Sequence, residues 1–402
     1  MAGGDGKHDL IREKLGQAAG LLEAHGIDCW ITFVRETAVQ RDPILPFLCG
    51  GDLTWHSALV LTRSGGKYAI VGNLDKQAVE DLGVYDSVTA YVEGIRKPLA
   101  SLVGSLEPQN VAVNFSRDSE IADGLTHGMF LLLRDILSHA GYEGELLSAE
   151  PVISSLRARK SPEELDRIRR AIDATLKIFA EVRGFVRAGR SEAEIAAFML
   201  QRVDQQGLET AWDRGHCPSV FTGPDTAEAH YGPTSRPVAA GHILNMDFGV
   251  RLDDYCSDLQ RVWYVPEAGS TAVPEEVSHG FATIVEAIER ARREMRPGRL
   301  GVDIDTVARS FIVDRGYESF PHALGHQVGR FAHDGTALLG PEWEKYGRKP
   351  RLPLEEGMVF TLEPRLKVRG RGTVTIEEMV VVTSKGAEFL SLPQRELWIA
   401  QT

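Results

Sequence analysis

Apolar positions along this chain repeat with two different periods, and the changes of period mark its elements. Leu10, Ile11, Leu15, Ala18, Ala19 and Leu22 recur every three or four residues, which predicts an amphipathic helix over His8 to His25. Cys29 to Val34, Ser57 to Thr62, Tyr68 to Val71 and Val111 to Phe115 are short β-branched or apolar runs between turn formers, and read as strands. Ile121 to His139 returns to helical spacing. The first 150 or so residues thus form an α/β unit. It contains no phosphate loop, no GxGxxG and no cluster of metal-ligating residues.

A boundary follows at Lys160-Ser161-Pro162-Glu163-Glu164. Ser161 suits an N-cap, Pro162 the first helical position, and Glu164 completes a capping box. The helix this starts runs to about Val186. Ser191-Glu192-Ala193-Glu194 is a second capping box and opens another helix. Two helices then lead to a β-hairpin, Ile243 to Val265. Two further helical stretches, about Pro274 to Met295 and Val302 to Arg315, lead to a second hairpin, Met358 to Thr383. The repeated plan suggests an internal duplication about a pseudo-two-fold axis, with a site between the halves.

Composition narrows the function classes. A chain of 402 residues exceeds one ordinary core and suits two domains, residues 1–155 and 156–402. The formal net charge of -12 makes nucleic acid and anionic membranes poor partners for the molecule as a whole. The most apolar run, Met129 to Leu137, is interrupted by Arg134 and Asp135 and is too short to span a bilayer. The polar, Gly-rich start shows no apolar signal segment. The four cysteines, at 29, 49, 217 and 256, lack CxxC spacing and read as reduced thiols in a cytoplasmic protein.

The chemistry lies in the two hairpins. Asn245-Met246-Asp247-Phe248-Gly249 precedes Tyr255-Cys256-Ser257-Asp258. A turn centred between Leu252 and Asp253 would set Asp247 opposite Asp258, with Cβ atoms about 4.5–5.5 Å apart. In the second hairpin, a turn centred on Gly370 would set Glu363 opposite Glu377 in the same way. Glu377 stands in the run Val374 to Val382, a strand that is normally buried, so an inward acid there needs a cation or a shared proton. His326, in Pro321-His322-Ala323-Leu324-Gly325-His326, adds an imidazole, and His333 follows seven residues later. His230 lies 17 residues before Asp247. Four carboxylates balance two divalent cations in charge. Oxygen with imidazole ligation suits manganese, cobalt, zinc or iron and disfavours copper(I). Such a centre implies a hydrolase.

The motifs MDFG…YCSD, HALGHQVG…HD, GMVFTLEP and VTIEE, from about Leu156 to Thr383, resemble the pita-bread metallopeptidases, which include prolidase, aminopeptidase P, methionine aminopeptidase and the related creatinase. The first unit is similar to the creatinase-type N-terminal domain of prolidases and aminopeptidases P, which methionine aminopeptidase lacks. The resemblance implies a creatinase-like α/β domain followed by an α+β pita-bread catalytic domain. It implies two metal ions, manganese first, with cobalt or zinc in second place. Their ligands would be Asp247, Asp258, His326, Glu363 and Glu377, with Asp258 and Glu377 bridging. Glu363 would shuttle the proton, and His230, His322 and His333 would contact substrate or transition state. The implied activity is hydrolysis of an Xaa-Pro bond in a small peptide by a metal-bridging hydroxide, in a homodimer.

Two positions depart from that pattern. Arg365 replaces the Gly that commonly follows Glu-Pro, and Thr375 replaces an Arg two residues before the last ligand. Arg348, Lys349 and Arg351 are candidate replacement cations. Within the resemblance the dipeptidase reading comes first and the aminopeptidase reading second. An intact ligand set argues against a creatinase-like hydrolase of a small nitrogenous compound, and equally against a non-catalytic binding protein.

Overall fold

The chain folds as two units, Met1–Arg157 and Ala158–Thr402. The computed structural model describes residues 5–225, 232–267, 269–270 and 272–401. Among these no helix is long and apolar enough to cross a membrane.

The first unit is built on a six-stranded mixed sheet in the order 87–91, 67–72, 57–62, 29–34, 111–113, 146–148. Its central strand, Cys29–Val34, is buried along its whole length, as its unbroken apolar sequence requires. Alternation splits its side chains between two cores. Trp30 and Val34 face the helices Asp5–Ala24 and Glu150–Ala158, whereas Cys29, Ile31 and Phe33 face Arg96–Leu106 and His127–His139. The strands predicted at Cys29–Val34 and Ser57–Thr62 have those bounds. The single helix predicted from Ile121 to His139 does not form. A short 3₁₀ turn, Glu120–Ala122, precedes a helix that begins at His127, where the Thr126 hydroxyl caps the Met129 amide. Gly124 separates the two, because a Cβ there would lie 2.2 Å from the Asp42 carboxylate. Close packing at a glycine thus overrides the helical period.

In the second unit both capping boxes form. Ser161 and Glu164 start the helix Pro162–Arg183, and Ser191 and Glu194 start Glu192–Gln205. The later helices, Glu275–Glu294 and Gly301–Asp314, pack on each other and share one core with the second ribbon, through Ile284, Ile288, Ile304, Ile312, Phe360 and Ile376.

The first ribbon pairs Ile243–Phe248 with Leu259–Tyr264 and continues through Val250–Leu252 and Tyr255–Cys256. Its register differs from the predicted one: Asp247 faces Gln260, and Leu252 faces Tyr255. The turn is therefore centred on Asp253-Asp254, with φ of 49° and 69°. Asp and Asn are the non-glycine residues that best tolerate two such positions, as this tight hairpin turn demands. Asp258 is displaced by two positions from the residue opposite Asp247, and so keeps the same face of the ribbon. The second ribbon has the predicted register. Val359–Leu362 pairs with Glu378–Thr383, and Arg365–Val368 pairs with Gly372–Thr375, about a turn at Gly370. Its ladder breaks at Glu363-Pro364 and Ile376-Glu377, where the acids stand.

Candidate metal centre

Three of the four predicted acids, Asp258, Glu363 and Glu377, sit at breaks in strand pairing, where other segments take up backbone groups left over. Asp247 instead lies within the strand Ile243–Phe248, paired with Gln260 and Ser219. The Glu363 amide donates to the Leu324 carbonyl at 2.8 Å, and the Glu377 amide donates to the Gln260 carbonyl at 3.2 Å. At the break in the first ribbon, the Ser257 hydroxyl accepts from the Val250 amide at 3.0 Å. Gly249 is required beside it, since a Cβ there would meet the Ser257 carbonyl oxygen at 1.9 Å. The two ribbons touch where Gln260 bridges to Glu377.

His326 reaches this centre on an extended segment laid along the second ribbon. Its amide donates to the Thr361 hydroxyl at 3.1 Å, and its carbonyl accepts from the Thr361 amide at 2.9 Å. Gly325 lets the segment approach: a Cβ on it would lie 1.9 Å from the Thr361 carbonyl oxygen. His326 Nε2 then lies 3.3 Å from Glu363 Oε1, 3.7 Å from Asp258 Oδ2 and 4.0 Å from Glu377 Oε1. Among the described residues, Asp258, His326 and Glu377 each offer a ligand atom within 4.8 Å of the other two.

Electrostatics support reading the acids as one cluster. Burial raises the Asp247 carboxyl to about 7. Burial, then the charges of Asp247 and Glu363, hold Asp258 well above the usual carboxylate range. Glu363 is raised by burial and by Asp247, against a lowering hydrogen bond from Thr361 and the charge of Arg365. Glu377 is raised by burial and by Asp258, Glu363 and Asp247 in that order, against a lowering hydrogen bond from Gln260. Asp247 Oδ1 is buried without a hydrogen-bond partner. Four inward acids that disfavour one another's charge, one with an orphaned oxygen, fit bound divalent cations better than they fit solvent. An adjacent imidazole suits the borderline ions.

The five ligand candidates Asp247, Asp258, His326, Glu363 and Glu377 are thus brought together. The His333 ring packs on His326, with centroids 4.0 Å apart. His322 stands four residues before His326, its Nδ1 2.8 Å from the Ala323 carbonyl and its ring against Phe320. His230 lies outside the described residues. The four cysteines are buried free thiols, and burial pushes Cys256 up to about 12, which makes it a poor nucleophile.

One residue at the centre carries no signal in the sequence. Gln260 faces Asp247, and its side chain accepts from the Thr375 hydroxyl at 2.8 Å. Only the correct register places it there. Arg365 is buried and directly opposite Thr375, so the two departures from the family pattern are cross-strand partners. Arg365 therefore supplies a cation near Glu363, a role the sequence suggested for Arg348, Lys349 or Arg351. The last of these pairs instead with Glu342 in an exposed ion pair.

Comparison with known proteins extends the agreement from the centre to the whole chain. Residues 166–384 match the description of Metallopeptidase family M24. The Xaa-Pro dipeptidase of Pyrococcus furiosus is 28% identical over 322 residues, covering 78% of this chain and 86% of that protein. Among solved structures, dipeptidase PepE from Mycobacterium ulcerans superposes with a TM-score of 0.73 at 26% identity, covering 98% of each chain. The X-Pro aminopeptidase from Thermotoga maritima superposes at 0.69 and 25% identity, covering 96% of this chain and 99% of that one. With more than half its length matched to the family, and a pita-bread fold that follows its relatives nearly end to end, this chain belongs to metallopeptidase family M24 and is a hydrolase.

Proposed function

We propose that this protein is a manganese-dependent Xaa-Pro dipeptidase. One observation carries the reading. Four acids and His326, drawn from two ribbons and one glycine-punctuated segment, converge on a buried point where the charge of Arg365 acts on Glu363. The likeness to a Xaa-Pro dipeptidase over most of the chain supports the choice of substrate.

Asp247, Asp258, His326, Glu363 and Glu377 would hold two divalent ions. Bound there, the ions would supply the positive charge that makes water nucleophilic at neutral pH and polarises the scissile carbonyl. Glu363 is suited to carry the proton. Thr361 donates to its Oε1 at 3.4 Å and so orients the carboxylate. Glu363 accepts the proton of the attacking water and delivers it to the leaving nitrogen. That step matters most for a prolyl bond, whose nitrogen has no hydrogen and must be protonated to depart. To His333, whose ring packs on His326, we assign a hydrogen bond to the developing oxyanion, and to His230 and His322 substrate contacts.

The relatives include an X-Pro aminopeptidase, so an aminopeptidase acting on longer peptides is the second reading. An assay of the manganese-loaded enzyme on a Xaa-Pro dipeptide and on a tripeptide with proline second separates the two. The dipeptidase reading expects cleavage of the dipeptide, abolished by chelation and restored by manganese. Cleavage of the tripeptide alone would replace it with the aminopeptidase reading, and turnover that survives exhaustive chelation would overturn both.

A further inference from the structure

The segment that delivers His322 and His326 is held from behind by two residues of the helix Gly301–Asp314. Asp305 and Arg309, one turn apart, form a two-pronged ion pair: Nε to Oδ2 at 2.6 Å and Nη2 to Oδ1 at 2.8 Å. Asp305 is 1% exposed, so this pair sits inside the fold, where such a fork is best defined. The donors left over on Arg309 are spent on the segment. Nη1 donates to the Ser319 hydroxyl at 2.9 Å and to the Phe320 carbonyl at 2.5 Å, and Nη2 donates to the His322 carbonyl at 2.7 Å. The guanidinium also lies over the Phe320 ring, 3.9 Å from its centroid. Asp305 Oδ1 accepts from the Leu324 amide at 3.0 Å.

The Leu324 peptide is the joint between this pair and the metal centre. Its N–H is held by Asp305, while its C=O accepts from the Glu363 amide. His326 follows two residues later, fixed by Thr361 on the far side. From these contacts we infer that Asp305 and Arg309 are positioning residues, a clasp that sets the backbone of Leu324 and so fixes His326 and Glu363 relative to each other. A ligand pair from different elements needs such a brace, because a small backbone shift at either one spoils coordination. Lysine could keep the charge at position 309 but not the fork, so the two prongs and the three segment contacts could not be made together.

This inference rests on the ligand assignment proposed above, and the two fail separately. Manganese is titrated calorimetrically into the metal-free full chain, its R309K and D305N variants, and D258A. The clasp predicts about ten-fold weaker manganese binding in R309K and a smaller loss in D305N, which keeps the acceptor for Leu324 but not the charge. It also predicts a lower kcat in R309K, since the ligands are misplaced, together with a raised KM, because Arg309 holds the carbonyl of His322, to which we assign a substrate contact. If R309K and D305N fold with undiminished manganese affinity while D258A loses it, the clasp is overturned and the ligand set stands. If D258A binds manganese as the unaltered chain does, the ligand set falls. Should R309K not fold, D305N alone decides: unchanged affinity in that variant overturns the clasp.

Discussion

Glu377 stands between Val374, Ile376 and the run Met379 to Val382, so its carboxylate emerges from an apolar wall at 1% exposure. Burial, then its acidic neighbours at the centre, raise its proton affinity, and such a group calls for a compensating cation. Asp258→Ala or Glu377→Ala is therefore expected to abolish both manganese binding and peptide hydrolysis. His333→Ala should behave differently. Its ring rests on that of His326 without belonging to the buried acid set, so turnover should fall by about 10² while metal content, measured by atomic absorption, changes little. Equal losses of both would show that His333 acts on the metal. These acids were legible in the sequence because charge inside a β-branched run is costly. Gln260 was not legible, because a neutral amide carries no signal until strand pairing sets it against Asp247. Arg365 stood out as a departure from the family pattern, but only strand pairing sets it against Thr375.

Among the elements, those with chemical punctuation were read best. Both capping boxes formed where Ser-x-x-Glu preceded an apolar period, since reciprocal side-chain and backbone bonds fix a helix start locally. Ser161→Ala removes the hydroxyl that accepts from the Glu164 amide. It should lower stability by about 1 kcal/mol in urea unfolding monitored by circular dichroism. The second ribbon's register was legible because the run Arg369-Gly370-Arg371-Gly372 leaves little choice of turn. In the first ribbon several polar residues compete for the turn, and the pair Asp253-Asp254 wins by accepting positive φ. The strand Ser87–Tyr91 and the helix Arg96–Leu106 were missed. The strand is only partly buried and the helix start lacks a side-chain cap, so neither sends the signal that period and capping provide.

For the molecule as a whole, the charge of the metal-free centre links stability to pH. Asp247, Asp258, Glu363 and Glu377 all bind protons more tightly in the folded chain than in the unfolded one, chiefly through burial. The stability they contribute is complete below the ordinary carboxylate range, near pH 4, and is lost as pH rises through their folded values, about 7 for Asp247. The chelated protein should accordingly melt at a higher temperature near pH 5.5 than near pH 7.5. Saturating manganese should reverse that order, since bound cations favour the ionised acids. A chelated chain whose melting point rises with pH over this range would contradict the raised proton affinities. The seams between strands carry a further consequence. Glu363 is tied through its own amide to the histidine segment, and Glu377 through its amide to the opposite ribbon. Neither of these two acids can drift away without dragging a neighbour's main chain along. The pocket of acids should thus be lost all at once, with the breaking of the second unit's core, rather than ligand by ligand.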